Sequence, residues 1–413
     1  MRRALVRRAA FYLTTDVASR VLPFLALPFL AQKMGAIEFG RYSLLLTLVS
    51  TFAILVGFST HSAVNISYFK DGKQWSKLGG DLLSFWFIVA LFAILVCSVF
   101  FWHWAARILM LTIFSSYCAW VFQLAVAVVH FREKIFLYAA LQLLRALLLT
   151  GFPLVIVLAY SDAAQNVFLG LSTGYLFLLL AALATVLGET IKLRARGFDW
   201  IGIKSAHAFS VPLVLNGASG WFRASYDRYI LMYFSSAASV GIYSLGFQLG
   251  SVVGIAGLSL SKVSSNYIFK CLGGSETSME DRFISARRIL TFFVILNVLG
   301  LIFFALGLYL FFHNFFTPEY EDSYRVAMIV AGGFFLQTYS SLLTPFFQYA
   351  SKHAILGKMS IFLSIFSAVA VYFAVAVWSY DGAAVSFLVV WILHAGVVTF
   401  LLQKNAKIWF ASR

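Results

Sequence analysis

The sequence is short of charge. Only 11% of its 413 residues are Asp, Glu, Lys or Arg, where a soluble domain carries about 25%. Acidic residues are the scarcer sign, 16 against 31 basic ones, for a formal charge of +15. Three cysteines, Cys97, Cys118 and Cys271, are too few and too scattered for a disulfide framework or a thiolate metal site, and read as buried, inert thiols. The seven histidines show no ligand spacing, so no metal and no cofactor are expected. There is no GxxxxGK[ST] phosphate loop, which excludes ATP-driven transport by this chain alone. No Ser–His–Asp set and no paired-carboxylate arrangement is legible, so the chain is not expected to be an enzyme. Ten-residue alternating strands are missing too, which argues against a membrane barrel.

What remains is apolar. Hydrophobic residues make up 62% of the chain and the mean hydropathy is +0.89. An apolar run of about 20 residues spans a bilayer as a helix, and an all-α integral membrane protein follows. Twelve spans are expected, near 9–31, 40–66, 79–102, 106–129, 137–159, 165–188, 207–233, 237–261, 289–312, 325–349, 357–378 and 383–402. The start, "MRRALVRRAAFYL", has the positive flank of a signal peptide, but Thr14, Thr15 and Asp16 interrupt any apolar core. It reads as an uncleaved first span.

The basic residues argue for this count. With the N-terminus inside, 23 of the 31 fall in cytoplasmic loops and tails, four (Lys33, Arg41, Arg107, Arg325) fall outside, and four lie within spans. That asymmetry fits both termini being cytoplasmic. It also explains the basic charge without nucleic acid, which is not expected as a partner.

Two segments resemble each other. "GAIEFGRYSLLLTLVS" (35–50) and "SAASVGIYSLGFQLGS" (236–251) share seven of sixteen positions at an offset of 201, among them Gly40/Gly241, Tyr42/Tyr243 and Ser43/Ser244. An offset near half the length suits duplication of a six-helix unit. Six is even, so the halves would be related by a parallel pseudo-two-fold along the membrane normal, with a cavity between them. The expected halves are 1–203 and 204–413. Gly40 and Gly241 read as tight turns or helix starts.

Four arginines and two aspartates sit inside spans: Arg20, Arg145, Arg223 and Arg228, with Asp16 and Asp227. A mid-span Arg costs about 2.5–3.5 kcal/mol on insertion scales, and such groups mark functional paths. Asp16 and Arg20 are four apart and share a helix face, as do Arg223 and Asp227. Each pair can be an internal lock, or a carboxylate that titrates for ion coupling. Arg145 and Arg228 can instead reach toward opposite interfaces. Asn216, Gly220, Arg223 and Asp227 follow i, i+4, i+7, i+11 as one polar stripe. The interior sum is two positive charges, which suits an anion, and arginine's planar fork suits phosphate. Trp120, Gln123, Asn216, Trp221 and Tyr226 are candidates for sugar contact, with helix packing the plainer use of the aromatic residues.

"FLAQKMGAIEFGRYSLLLTLVSTFAILVGFS" (29–59) and "YDRYILMYFSSAASVGIYSLGFQLGSVV" (226–253) resemble the polysaccharide transporter branch of the multidrug/oligosaccharidyl-lipid/polysaccharide exporter superfamily, the Wzx-type O-antigen and repeat-unit flippases. The resemblance implies two six-helix bundles in alternating access in the bacterial inner membrane. It implies an undecaprenyl-pyrophosphate-linked glycan as cargo, with Arg20, Arg145, Arg223 and Arg228 at its head group. H+ or Na+ would be the coupling ion, and a polysaccharide polymerase and chain-length proteins the partners. Two other functions stand beside this one, an ion-coupled small-molecule exporter of the same superfamily and, further off, an envelope polysaccharide polymerase. An ion-coupled exporter of cationic drugs should have an acidic interior, and a polymerase should have large outer loops.

Overall fold

The computed structural model describes residues 2–71, 74–100, 104–190, 198–273 and 278–411. Lys73, Lys192, Arg194, Arg196 and Arg413 lie outside them, as do the side chains of Asp16 and of the N-terminal arginines. The described chain is helical throughout, as a backbone in hydrocarbon must be when every N–H and C=O has to be bonded internally. The helices are α1 (Arg2–Leu55), α2 (His61–Asp71), α3 (Gln74–Phe100), α4 (Trp104–Phe131), α5 (Ile135–Ala159), α6 (Ala164–Thr190), α7 (Trp200–Ala224), α8 (Tyr226–Phe234), α9 (Ala237–Leu272), α10 (Met279–Phe315), α11 (Glu321–Tyr349) and α12 (His353–Ala411). Among the described residues nine helices are long and apolar enough to cross a membrane. The protein is a multi-pass membrane protein.

Several helices depart from the straight spans read from the sequence. The 54 residues of α1 are interrupted at Gly35, with φ 68° and ψ 166°. The 59 residues of α12 are interrupted at Ser379, with φ 50° and ψ −130°. A Cβ on Gly382 would lie 2.1 Å from the carbonyl of Ala374. Residues eight apart in one straight helix are about 12 Å apart, so α12 doubles back here and only glycine fits the corner. Its turn is tied to α11. Arg325 donates to both carboxylate oxygens of Asp381 (3.0 and 2.8 Å), and Tyr380 donates to Asp322 (2.7 Å). That hydrogen bond, with burial and the neighbouring acids, pushes the Tyr380 hydroxyl up to about 12.

The expected span 40–66 is also broken. After Leu55 the chain turns through Gly57, Phe58 and Ser59, all with positive φ (80°, 47° and 54°), before α2 begins. The expected span 207–233 is split at Ser225 into α7 and α8.

The contacts divide the chain into two compact units, Met1–Trp221 and Phe222–Arg413. The expected boundary at 203/204 falls inside α7, which packs with the first unit. The first has its core on α4, with Trp120, Val121, Leu124, Ala125 and Val128 at 2% exposure or less. The second is built on α9 against α11. Gly246, Gly250, Gly254 and Gly257 form one face of α9, and a Cβ at each would meet Val326, the Ala327 carbonyl, Phe334 or Thr338. Small residues let membrane helices approach closely, where dispersion replaces the missing hydrophobic drive. The internal repeat is consistent in register. An offset of 201 carries Gly35, where α1 breaks, onto Ser236, the N-cap of α9. Tyr42/Tyr243 and Ser43/Ser244 are buried in both copies.

Overpacking this seam should be costly. Gly250→Val or Gly257→Val is expected to destabilise by about 1–3 kcal/mol, read as a lower Tm of the detergent-solubilised protein. Gly300→Ala, whose added carbon meets nothing within 4 Å, should leave Tm in place.

Candidate functional site

The first unit holds a cavity of about 680 Å³ between α2, α4 and α5. Each helix presents one stripe at helical spacing. From α2 come His61, Asn65 and Phe69; from α4, Gln123, Ala127 and His130; from α5, Tyr138, Gln142 and Arg145. The left-handed turn at 57–59 sets the α2 wall. Gly57 packs so closely on the Trp120 ring that a Cβ would lie 1.9 Å from it. Thr60 Oγ1 donates to the Gly57 carbonyl at 2.5 Å.

The lining is a mixture of amides, rings and one arginine. Gln142 Nε2 donates to the Tyr138 hydroxyl (3.2 Å), and the His130 and Tyr138 rings meet edge to face at 5.8 Å. The Arg145 guanidinium lies over the Phe122 ring, 5.7 Å from its centroid, a cation–π contact. Among the described residues Arg145 has no ion pair and donates no hydrogen bond, and the buried Nδ1 of His61 has no hydrogen-bond partner. Among the described residues Glu133, in the α4–α5 turn, is the one carboxylate of the lining. Such a space can take a ligand with an anionic group and many hydroxyls.

The second unit treats its arginines differently. The sequence paired Arg223 with Asp227; the structure pairs Asp227 with Arg228. Arg228 Nη1 lies 3.2 Å from Asp227 Oδ1 and donates to the Ala224 carbonyl at 2.8 Å. Its Nε donates to Ser244 at 3.3 Å, and the group sits 4.8 Å from the Phe247 centroid. Tyr243 donates a short hydrogen bond to the other Asp227 oxygen. Both charged residues are buried, at 4% and 8% exposure. The cause is the break at Ser225. It puts Asp227 in the first turn of α8, where its carboxylate accepts the free N–H of Arg228 at 2.8 Å, as acids do at helix starts. The predicted stripe through 216, 220, 223 and 227 therefore does not run on one helix. The outward reach expected for Arg228 is not what the structure shows.

Arg223, at the end of α7, has no carboxylate partner among the described residues. Its Nη1 donates to the Ser360 carbonyl (2.9 Å), Ser360 Oγ (2.7 Å) and Ser364 Oγ (3.0 Å) on α12. The guanidinium lies 5.9 Å from the Trp391 centroid.

The other predicted residues are scattered. Arg20 is exposed on α1, and Asn216 is exposed on α7. Trp120 is 2% exposed in the core under Gly57 and does not line the cavity. Tyr226 and Trp221 are half-buried, Tyr226 against the Phe222 ring at 5.5 Å. The cavity thus brings together Arg145 and Gln123 of the predicted set. His61, Asn65, His130, Tyr138 and Gln142 were missed. Their signal was polar residues recurring at i, i+4 and i+7 within apolar spans.

Known structures share this architecture. A lipid II flippase, MurJ, in an inward closed conformation superposes with a TM-score of 0.72 at 12% identity, covering 96% of this chain and 87% of that one. A multidrug resistance MATE transporter of the MOP superfamily, inward-facing, superposes at 0.66 and 12% identity, covering 97% and 99%. The chain has the fold of these membrane transporters. Among sequences it is similar to a protein of the Lsg locus of Haemophilus influenzae, 24% identical over 272 residues, covering 64% of this chain and 66% of that protein's length. An uncharacterized membrane protein of the same organism is 20% identical over 283 residues, 67% and 68% of the two chains. The chain matches no family model.

The Asp227–Arg228 pair should matter for folding. Asp227→Asn leaves Arg228 buried without a counter-charge, a change worth about 3–5 kcal/mol. Tyr243→Phe removes one hydrogen bond and should cost about 1–3 kcal/mol. Thermal unfolding of the two variants side by side checks the order; equal losses would refute the ion-pair account.

Proposed function

We propose that this protein is a flippase that moves an undecaprenyl-pyrophosphate-linked oligosaccharide, the repeat unit of O-antigen or a related surface polysaccharide, across the bacterial inner membrane. The fold is shared with a lipid II flippase, a protein whose own cargo is a lipid. In this reading the breaks at Gly35 and Ser379 divide α1 and α12 into two spans each, and α7 with α8 make one. Twelve spans then result, in two six-helix bundles with both termini cytoplasmic, working by alternating access.

One observation carries the choice of cargo. The cavity of the first unit holds Arg145 with no ion pair among the described residues, beside amides and aromatic rings, with the Glu133 carboxylate at the α4–α5 turn. An arginine in a membrane span is expensive, and a phosphate answers it. Amides and rings then hydrogen-bond and stack with sugars. A volume of about 680 Å³ is the size of a small-molecule site. It takes a head group with its first sugars and leaves the polyprenyl chain in the bilayer.

The test is genetic and biochemical. Cells lacking the protein should lose surface polysaccharide and accumulate the lipid-linked repeat unit at the inner leaflet. Arg145→Ala should lower surface polysaccharide at least about tenfold, since a charged hydrogen bond is worth about 1.5–3 kcal/mol, at an unchanged amount of membrane-inserted protein. Gln142→Ala should lower it less. Undiminished polysaccharide in Arg145→Ala, or a null strain whose only change is drug sensitivity, would favour the small-molecule exporter instead.

A further inference from the structure

The corner at Ser379 folds α12 into two legs, and a 2.8 Å hydrogen bond between the Ser235 and Ser379 hydroxyls ties that corner to the end of α8. Ser364 lies fifteen residues before the corner and His394 fifteen after it. The legs are therefore level at these two residues, about 22 Å from the corner at 1.5 Å per residue, within the hydrocarbon. The last turn of α7 brings Arg223 to the same level. Its Nη1 bonds Ser360 and Ser364 of the first leg. Its guanidinium lies over the Trp391 ring of the second leg, 5.9 Å from the centroid. The His394 ring, one turn on, stands 5.1 Å from the Trp391 ring, within reach of the Arg223 charge.

These three side chains are short of acceptors. Among the described residues every hydrogen bond of Arg223 leaves through Nη1, and Nε and Nη2 make none. Trp391 is 8% exposed, and its buried Nε1 has no hydrogen-bond partner. The buried Nδ1 of His394 has none either. An indole N–H can only donate, so a further donor cannot satisfy it. The oxygens close by are already in use. Ser364 donates to the Ser360 carbonyl at 2.8 Å, the same carbonyl that accepts from Arg223. The Asp227 carboxylate is taken by Arg228 and Tyr243. Phe387, against Trp391 at 6.4 Å, has no acceptor to give. Buried polar groups are nearly always paired, and a guanidinium in a membrane span calls for a counter-charge. Serine oxygens carry none.

We infer that Arg223, Trp391 and His394 form a binding site for a small monovalent anion such as chloride, built within the second unit alone. Arg223 supplies the charge and the N–H groups of Nε and Nη2. Trp391 supplies its indole N–H, and His394 a third donor as its Nδ1–H tautomer. One negative charge balances one guanidinium, whereas a doubly charged phosphoryl group would carry an excess into hydrocarbon. A halide accepts from any direction, which suits donors set on two legs and a third helix. Arg223 and His394 are half-buried, so the site is not sealed. It uses no residue of the first unit's cavity and does not rest on the proposed flippase role.

The test is made on the purified full chain in lipid nanodiscs. Sodium gluconate is exchanged for sodium chloride or sodium bromide at constant pH and ionic strength, and Tm is followed. Tm should rise with either halide and saturate. Trp391→Phe keeps a ring and removes the N–H. It should raise the half-saturating halide concentration at least about tenfold, as the loss of a hydrogen bond to a charged group implies. Arg223→Gln should abolish the response; since Arg223 also ties α7 to α12, Trp391→Phe decides the matter if that variant does not fold. Gly300→Ala should respond as the unaltered protein does. Crystals soaked in bromide should show anomalous scattering beside Trp391 Nε1. A Tm indifferent to halide, a response unchanged in Trp391→Phe, or bromide bound only elsewhere overturns the site.

Discussion

A guanidinium group carried into hydrocarbon must be met by something, and most of what is distinctive in this molecule follows from how its four are met. Leaving one unmet costs several kcal/mol, a large part of any domain's net stability. In the second unit the protein supplies the answer. Arg228 is closed in by Asp227, the Ala224 carbonyl and two rings, and Arg223 is tied to two serines of α12. In the first unit Arg145 is met by the face of Phe122 and by no acid among the described residues. The units thus treat the same residue differently: the second bonds both of its arginines to its own groups, and the first leaves Arg145 without an ion pair among the described residues.

The helical breaks make this division possible. At Ser225 the interruption turns a residue that would face Arg223 one turn away into the first-turn acid of a new helix, and it then binds its own neighbour. At Gly57–Ser59 the interruption frees α2 to lean on α4 and carry His61 and Asn65 into the cavity wall. The glycine face of α9 does the reverse. It draws two helices so close that carbonyls lie under the glycine carbons, giving the second unit a stiff seam.

Much of this was legible in the sequence, for identifiable reasons. Membrane helices announce themselves by apolar length, because the bilayer has a fixed thickness. The offset of 201 was visible because Gly40, Tyr42 and Ser43 recur as Gly241, Tyr243 and Ser244 at buried positions with little freedom to change. Arg145 and Gln123 were picked out as polar residues in apolar runs, and both line the cavity. The Arg223–Asp227 pair was misjudged because spacing arguments assume a continuous helix, and nothing in "RASYDRY" signals a break by glycine or proline. Trp120 was a candidate for sugar contact with helix packing as the plainer use, and it is the floor beneath Gly57. A tryptophan's role depends on what lies across from it, which a single chain of letters does not state. His61, Asn65 and Gln142 were missed because each is unremarkable alone, and only three helices together make them a wall.

The left-handed turn before α2 also bears on how such a protein diversifies. Its three residues and the Trp120 ring beneath them anchor one end of a short helix whose other face touches the cavity. The scaffold's tolerances are thereby confined to the anchor. Substitutions at 61, 65 or 69 would change the chemistry of that wall while the anchor and the long helices keep their places.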